Sequence, residues 1–322
     1  MTASYRIIDY SLRPAKFAER KMLCEMLARL KVFGSLESYQ YVGFGSIWYA
    51  DCVLFHRGLG IRHIISIEKE MHHEERFAFN NPYRGIELRM GRAADILPHV
   101  DWSQRSILWL DYDDPVSPSI LEDVRTVATR ARPGTMLIVS VQTQQLFDRR
   151  DIHDEPVAIE ERDHFEECFG VERTPGDMTD EDLYGWQLSK TARRLVREEI
   201  ENGIHHVNGT KKGVQKLEFC QIVAFEYADG AKMTTIGGLF IDSGQRVVYD
   251  SGGFRELTFF RDGTKALRIE TPLLTTREMR HLDQSLPCQT AGDLDLGPIP
   301  EKDGKNYALL YRYLPNFASF EP

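Results

Sequence analysis

Short runs of β-branched and aromatic residues, each ending in glycine or acid and each followed by spaced apolar positions, recur through the first half of the chain. Such alternation of strand-like and helix-like periods predicts a parallel sheet with βαβ crossovers, whose ligands sit at the carboxyl ends of the strands. Ahead of the first run, Phe17, Met22, Leu23, Met26, Leu27 and Leu30 fall at helical spacing among Lys, Arg and Glu, predicting an amphipathic helix over Pro14 to Leu30 that covers the sheet.

The first strand is expected from Tyr39 to Val42, with a helix opening near Ile47, carrying Ala50, Val53, Leu54 and Leu59 inward and ended by Gly58 and Gly60. A second strand covers Ile64 to Ile67, and the helix from Glu74 to Phe79 closes at Asn80-Asn81-Pro82, where proline cannot continue it. The third strand is Ile86 to Met90 and the fourth Ser106 to Leu110. Ile120, Val124, Val127 and Ala128 mark the next helix, and Pro133-Gly134-Thr135 turns the chain into a fifth strand, Met136 to Val141.

From Gln142 to Lys216 the sequence becomes highly charged and helix-rich, as an insertion would. Phe219 to Tyr227 and Lys232 to Phe240 then read as two strands joined by Ala228-Asp229-Gly230-Ala231, a hairpin signal that makes them antiparallel. Beyond Asp242, short strands are expected near Val247 to Tyr249 and Leu257 to Phe260, with a helix begun by Thr276 to Glu278. The expected architecture is a doubly wound, Rossmann-like α/β fold: a mainly parallel seven-stranded sheet with an antiparallel last strand, a helical insertion and a C-terminal extension. The corresponding division is an N-terminal helical cover at 1–35, an α/β domain at 36–241 with its insertion at 142–216, and an appended region at 242–322.

Composition narrows the setting. The 322 residues are 42% apolar, enough for a substantial core, and carry a formal charge of −9, so no global field draws the chain to DNA or an anionic membrane. Lys190-Thr191-Ala192-Arg193-Arg194 and Lys211-Lys212 are local basic clusters, read first as solvated faces. Cys24, Cys52, Cys168, Cys220 and Cys288 form no CxxC pair, and no apolar run nears the roughly 20 residues that span a bilayer. A reducing cytoplasm, without membrane attachment, is the expected location.

Three groups at the strand ends carry candidate chemistry. Gly43-Phe44-Gly45-Ser46 follows the first strand, where a missing Cβ lets backbone approach a ligand, or merely allows a tight turn. The third glycine of a dinucleotide fingerprint is absent, so a nicotinamide or flavin pyrophosphate fits poorly. Glu68, followed by Lys69, is an acid at the tip of the second strand, a position from which a carboxylate can hold a ribose diol. Asp111, Asp113 and Asp114 crowd the end of the fourth strand; unless a cation is shared, at least one carboxyl there is pushed up, making these candidates for a general base or a hard-metal site, or alternatively for the cap of the helix beyond Pro115. His72-His73 and His205-His206 are adjacent pairs whose rings point apart, so neither pair is expected to share a metal. No nucleophile has a base at motif spacing.

Taken in order, Gly43 to Ser46, Glu68, Gly91-Arg92-Ala93-Ala94-Asp95-Ile96-Leu97-Pro98, Asp111-Tyr112-Asp113, Arg132-Pro133-Gly134-Thr135 and the hairpin at Asp229-Gly230 resemble the class I S-adenosylmethionine-dependent methyltransferases. From Tyr41 to Val141 the chain looks most like their catechol-type small-molecule O-methyltransferases. The resemblance implies S-adenosylmethionine as cofactor, with Gly43, Phe44, Gly45 and Ser46 against its methionine end, Glu68 and Lys69 at the ribose, Ala93 and Ala94 at the adenine, and Asp111 facing the amino acid or the substrate. Methyl transfer to an O or N acceptor, a small molecule or a protein, follows from it. Asp111, Asp113 or Asp114 would take the acceptor's proton. The chain departs from the family pattern at Tyr41, where an acid is usual, at Ile47, where the third glycine is usual, and at Ser140-Val141-Gln142-Thr143, where the catechol-type enzymes have an Asp-Asn metal ligand pair; no metal is expected. The loop departures favour a second reading, a non-catalytic binding or scaffold subunit with protein partners, possible also as a homo-oligomer. A nucleic-acid methyltransferase would want an aromatic after Asp113-Asp114-Pro115, where Val116 stands.

Overall fold

Among the described residues, eight strands form one sheet in the order β3-β2-β1-β4-β5-β7-β6-β8. The strands are β1 Gln40–Phe44, β2 His63–Glu68, β3 Ile86–Met90, β4 Ser106–Pro115, β5 Met136–Gln142, β6 Leu217–Asp229, β7 Ala231–Asp242 and β8 Leu267–Ile269. The helices are α1 Pro14–Ala28, α2 Ala50–Leu59, α3 Glu74–Asn80, α4 Ala93–Ile96, α5 Pro118–Arg130, α6 Glu161–Phe169, α7 Gly185–Asn208, α8 Arg246–Ser251, α9 Thr276–Asp283 and α10 Glu301–Leu310. This computed structural model describes residues 13–147, 160–209, 216–288 and 291–315. Lys211-Lys212 lies outside the described residues.

Strands β1 to β5 are mutually parallel, β7 runs against β5, and β6 pairs antiparallel with β7, joined by the expected Asp229-Gly230 turn. Strand alternation sorts the core onto two faces. Ile107 and Trp109 of β4 join Tyr41, the apolar face of α1 and Phe55 of α2 on one side. Leu108 and Leu110 join Val42, Val124 of α5 and Leu188 and Leu195 of α7 on the other. At about 25 cal/mol per Å² of apolar surface, side chains as large as Trp109, fully buried, each contribute a few kcal/mol.

The sheet has one strand more than the seven expected: β8, within the C-terminal region, adds parallel to β6. Its three residues are too few for a period-2 pattern to show. The expected short strands at Val247 to Tyr249 and Leu257 to Phe260 are not strands; the first lies in α8, and Leu257 to Phe260 follows a 3₁₀ turn at Phe254–Glu256. Local β propensity is outweighed there by the packing of Tyr249, Phe254, Leu257 and Phe259 into the α1-side core. No described helix is long and apolar enough to cross a membrane.

Candidate active site at the strand tips

Register places the candidate residues in one row. Phe44 pairs with Ile67 and Glu68 with Met90, so one step further along β1 sets Gly45 beside Glu68. Gly43 pairs with Trp109, and the same register carried two residues on sets Gly45 beside Asp111. With about 4.8 Å between strands, the row Asp111, Gly45, Glu68, Met90 spans roughly 14 Å across the carboxyl edge. Backbone bonds tie its turns together: Gly45 N–H donates to the Ile67 carbonyl at 2.6 Å and Gly91 N–H to the Glu68 carbonyl at 2.9 Å.

The two loop glycines have different causes. A Cβ on Gly43 would collide with the Tyr41 ring, which lies along the same face of β1. One on Gly45 would sit 2.7 Å from Ser66 Oγ and 3.2 Å from the Ile67 carbonyl, prising the turn off β2. After Ser46 the chain passes through Tyr49, whose φ of 48° is left-handed, and this costly conformation is held by the Tyr49 hydroxyl donating to the Phe77 carbonyl at 2.9 Å. Helix α2 therefore opens at Ala50 rather than near Ile47. Phe44 turns to the other face and meets Tyr112 edge-on at 4.8 Å.

Glu68 is 8% exposed, and burial pushes its carboxyl up to about 7 against the opposing pull of the Glu70 and Lys69 backbone N–H groups. Its Oε1 accepts from Glu70 N–H at 3.1 Å. Ala93 is buried beside Ile96 at the start of α4, while Ala94 is exposed. Lys69 reaches Asp114 at 3.7 Å, an exposed pair that passes from the tip of β2 to the tip of β4 over the glycine turn. Trp48 and Met71 stand exposed in the turns after β1 and β2.

Of the three aspartates, Asp113 and Asp114 are exposed and Asp111 is half-buried. The capping alternative is corrected: β4 continues through Pro115, and the cap of α5 is Ser117, whose Oγ accepts from Ile120 N–H. Of the three carboxylates, Asp114 pairs with Lys69 and Asp111 with a buried cation, Lys16 of α1. Its Nζ lies 2.7 Å from Asp111 Oδ1, 2.9 Å from Glu19 Oε2 and 2.9 Å from the Tyr227 hydroxyl, and 4.4 Å above the Trp109 ring. Burial pulls the Lys16 ammonium down, but Asp111 and Glu19 outweigh it and hold the group well above its ordinary value. Burial also pushes Glu19 up, against Lys16; Glu19 accepts from Thr235 Oγ1, and next to it Arg20 pairs with Asp51. Lys16, Glu19 and Arg20 are 3%, 0% and 7% exposed, so these three polar residues of α1 are as buried as its apolar ones.

Sequence reasoning missed this cluster because, in a helix wheel, these residues look like a solvated face. Arg13, Pro14 and Phe17 carry no hint of the strands that α1 meets, and the partners of Lys16 lie 95 and 211 positions away. No group of three or more His, Cys, Asp or Glu among the described residues is arranged to hold a metal ion.

A family model described as "Putative O-methyltransferase" matches residues 8–322. Among solved structures, the O-methyltransferase TomG from Streptomyces achromogenes, in complex with SAM, is similar at 19% identity and a TM-score of 0.35, over 72% of this chain and 90% of that one. Trm1 from Pyrococcus horikoshii, in complex with S-adenosyl-L-methionine, is similar at 11% identity and a TM-score of 0.45, over 71% of this chain and 57% of that one. No curated protein sequence matches.

Proposed function

The chain belongs to this O-methyltransferase family, and from that premise we propose that it transfers the methyl group of S-adenosylmethionine to an oxygen of its acceptor. The observation that carries the reading is the row Asp111, Gly45, Glu68, Met90, an edge of nucleoside-plus-amino-acid length with its polar groups in a fitting order. Glu68 offers two carboxylate oxygens to a vicinal diol. Ala93 and Ile96 offer an apolar border to a purine. The partly exposed Gly45-Ser46 turn would take the amino-acid end, and Asp111, fixed by Lys16, borders the same end.

When bound, S-adenosylmethionine would supply a methyl group activated on a sulfonium, which an acceptor oxygen takes by in-line attack with the thioether S-adenosylhomocysteine as leaving group. The protein's part is alignment, exclusion of water and removal of one proton from the acceptor hydroxyl. Asp113 or Asp114, at the exposed end of β4, is the carboxylate within reach of an acceptor entering from solvent; Asp111, half-buried and held by the buried Lys16, serves as a positioning residue. Trp48 and Met71 give the acceptor apolar surface at the mouth.

Calorimetric titration of the protein and of Glu68→Ala with S-adenosylmethionine tests the reading. Micromolar binding that is lost in the variant supports it, and absence of heat with the unaltered protein, itself folded by circular dichroism, replaces it with the scaffold reading.

A further inference from the structure

A cleft of about 430 Å³ lies at the same edge of the sheet but beyond β5, between the start of α7, the end of β6, the start of β7 and β8. Three cations, Lys190, Lys232 and Arg268, line it together with Trp186 and two carboxylates, Glu181 and Glu226. Glu226 is buried and already shared: Arg193 donates to its Oε1 at 3.0 Å, and Arg268 to its Oε2 at 2.8 Å. Arg193 is itself buried and is further bound to Thr234 Oγ1 at 2.6 Å, so it belongs to the wall and leaves Arg268 as the movable partner.

The remaining cations have no such use. Lys190 Nζ donates to Gln187 Oε1, a neutral acceptor, at 2.7 Å. Lys232 makes no ion pair among the described residues; its ammonium sits 5.5 Å from the centre of the Trp186 ring, with the Arg268 guanidinium 4.3 Å from the same ring. Both positive groups thus lie within reach of one indole, and of the two only Arg268 has a carboxylate partner, so Lys232 adds charge that no described carboxylate offsets. Gly185, at φ +60°, keeps this space open: a Cβ there would lie 3.3 Å from Lys232 Nζ. The first turn of the 24-residue helix α7 adds its positive end without a side-chain cap. In a chain of net charge −9, this is a local excess of positive charge in a concave site.

We infer that the cleft around Trp186, Lys190, Lys232 and Arg268 binds a small polyanion, a ligand with clustered phosphate or carboxylate oxygens. Arg268, its Nε and Nη2 held by Glu226, contributes its Nη1 edge, and the two lysines contribute point charges. The site opens on the α7 side of the sheet, since Lys232 and Thr234 alternate with Met233 and Thr235, whose side chains face the α1 side. It is therefore separate from the Lys16–Asp111 cluster and does not depend on the proposed methyl transfer.

Isothermal titration at low ionic strength with pyrophosphate and with citrate, in the absence of S-adenosylmethionine, tests the inference on the full chain, on Lys232→Gln and on Lys190→Gln/Lys232→Gln. Neither lysine makes an ion pair among the described residues, so both variants should melt with the parent. The expected result is binding of at least one probe, weakened about tenfold or more in the double variant and weakened by added salt. Pyrophosphate alone binding identifies a phosphate ligand, and citrate alone a polycarboxylate. Binding of neither probe overturns the inference, as does equal affinity in the parent and the double variant.

Discussion

Lys16 Nζ lies 2.7 Å from Asp111 Oδ1, joining the first described helix to the tip of the fourth strand across 95 positions of sequence. The pair is enclosed by the Trp109 ring and the Tyr227 hydroxyl, so the helix meets the sheet through charge as well as through its apolar face. Replacing Lys16 with Met keeps an apolar stem and removes the charge with its contacts to Asp111, Glu19 and the Tyr227 hydroxyl. It leaves Asp111 and Glu19 facing each other without a cation, and a loss of about 3 kcal/mol in urea denaturation is expected. Lys16→Met/Asp111→Asn should recover part of that loss, and a double-mutant cycle with no coupling energy would remove the pair from the account of stability.

Glu68 links stability to pH with a definite sign. Its folded carboxyl titrates at about 7 against an ordinary 4.5, so its stabilising contribution is complete below pH 4.5 and is lost as pH rises through about 7. Glu68→Gln should therefore raise the stability of the ligand-free protein at pH 8, by up to about 3 kcal/mol, and leave it nearly unchanged at pH 4.5. Thermal melts at the two pH values measure this. Equal shifts at both would mean the carboxyl is not desolvated.

Cofactor affinity should run the other way. Holding a ribose diol requires the ionised carboxylate as a double acceptor, so affinity for S-adenosylmethionine should fall about tenfold per pH unit below pH 7. Glu68→Gln should bind roughly 10- to 100-fold more weakly at pH 8 and show no such slope. Titration calorimetry across this range separates the two, and an identical slope in the variant would assign the proton to another group.

Gly45→Ala tests the seam between β1 and β2. The new methyl meets Ser66 Oγ at 2.7 Å and the Ile67 carbonyl at 3.2 Å, and a cost of about 1–3 kcal/mol is expected from the forced shift. Adding Ser66→Ala should relieve part of it, since it removes the Oγ that the new methyl would meet. Full recovery in the double variant would show that the carbonyl contact carries no weight.

Much of the parallel half of the fold was legible because each strand is punctuated by residues that can do little else. Ile86 to Met90 is found with the expected bounds, and Asn80-Asn81-Pro82 stops α3 where proline must. The order of Gly45, Glu68 and Asp111 along one edge also followed, since parallel strands present their ends together. What stayed hidden depends on distant partners. Lys16, Glu19 and Arg20 look like a wet face until β4, β6 and β7 arrive above them, and Val247-Val248-Tyr249 has strand-forming residues but lies in a helix that seats Tyr249 against Phe254. Trp186 and Arg268 meet only when β8 joins the sheet, an event that three residues, Leu267 to Ile269, do not announce.

The carbonyls of Ile67 and Glu68 are consecutive, and each fastens a different turn, one from β1 and one from β3. The second strand is thus a common spine for both ends of the edge, and neither turn can be exchanged as an independent module. Grafting the Gly43 to Ser46 segment from a relative would succeed only if the donor's β2 came with it, because a one-residue slip there moves both anchors in concert.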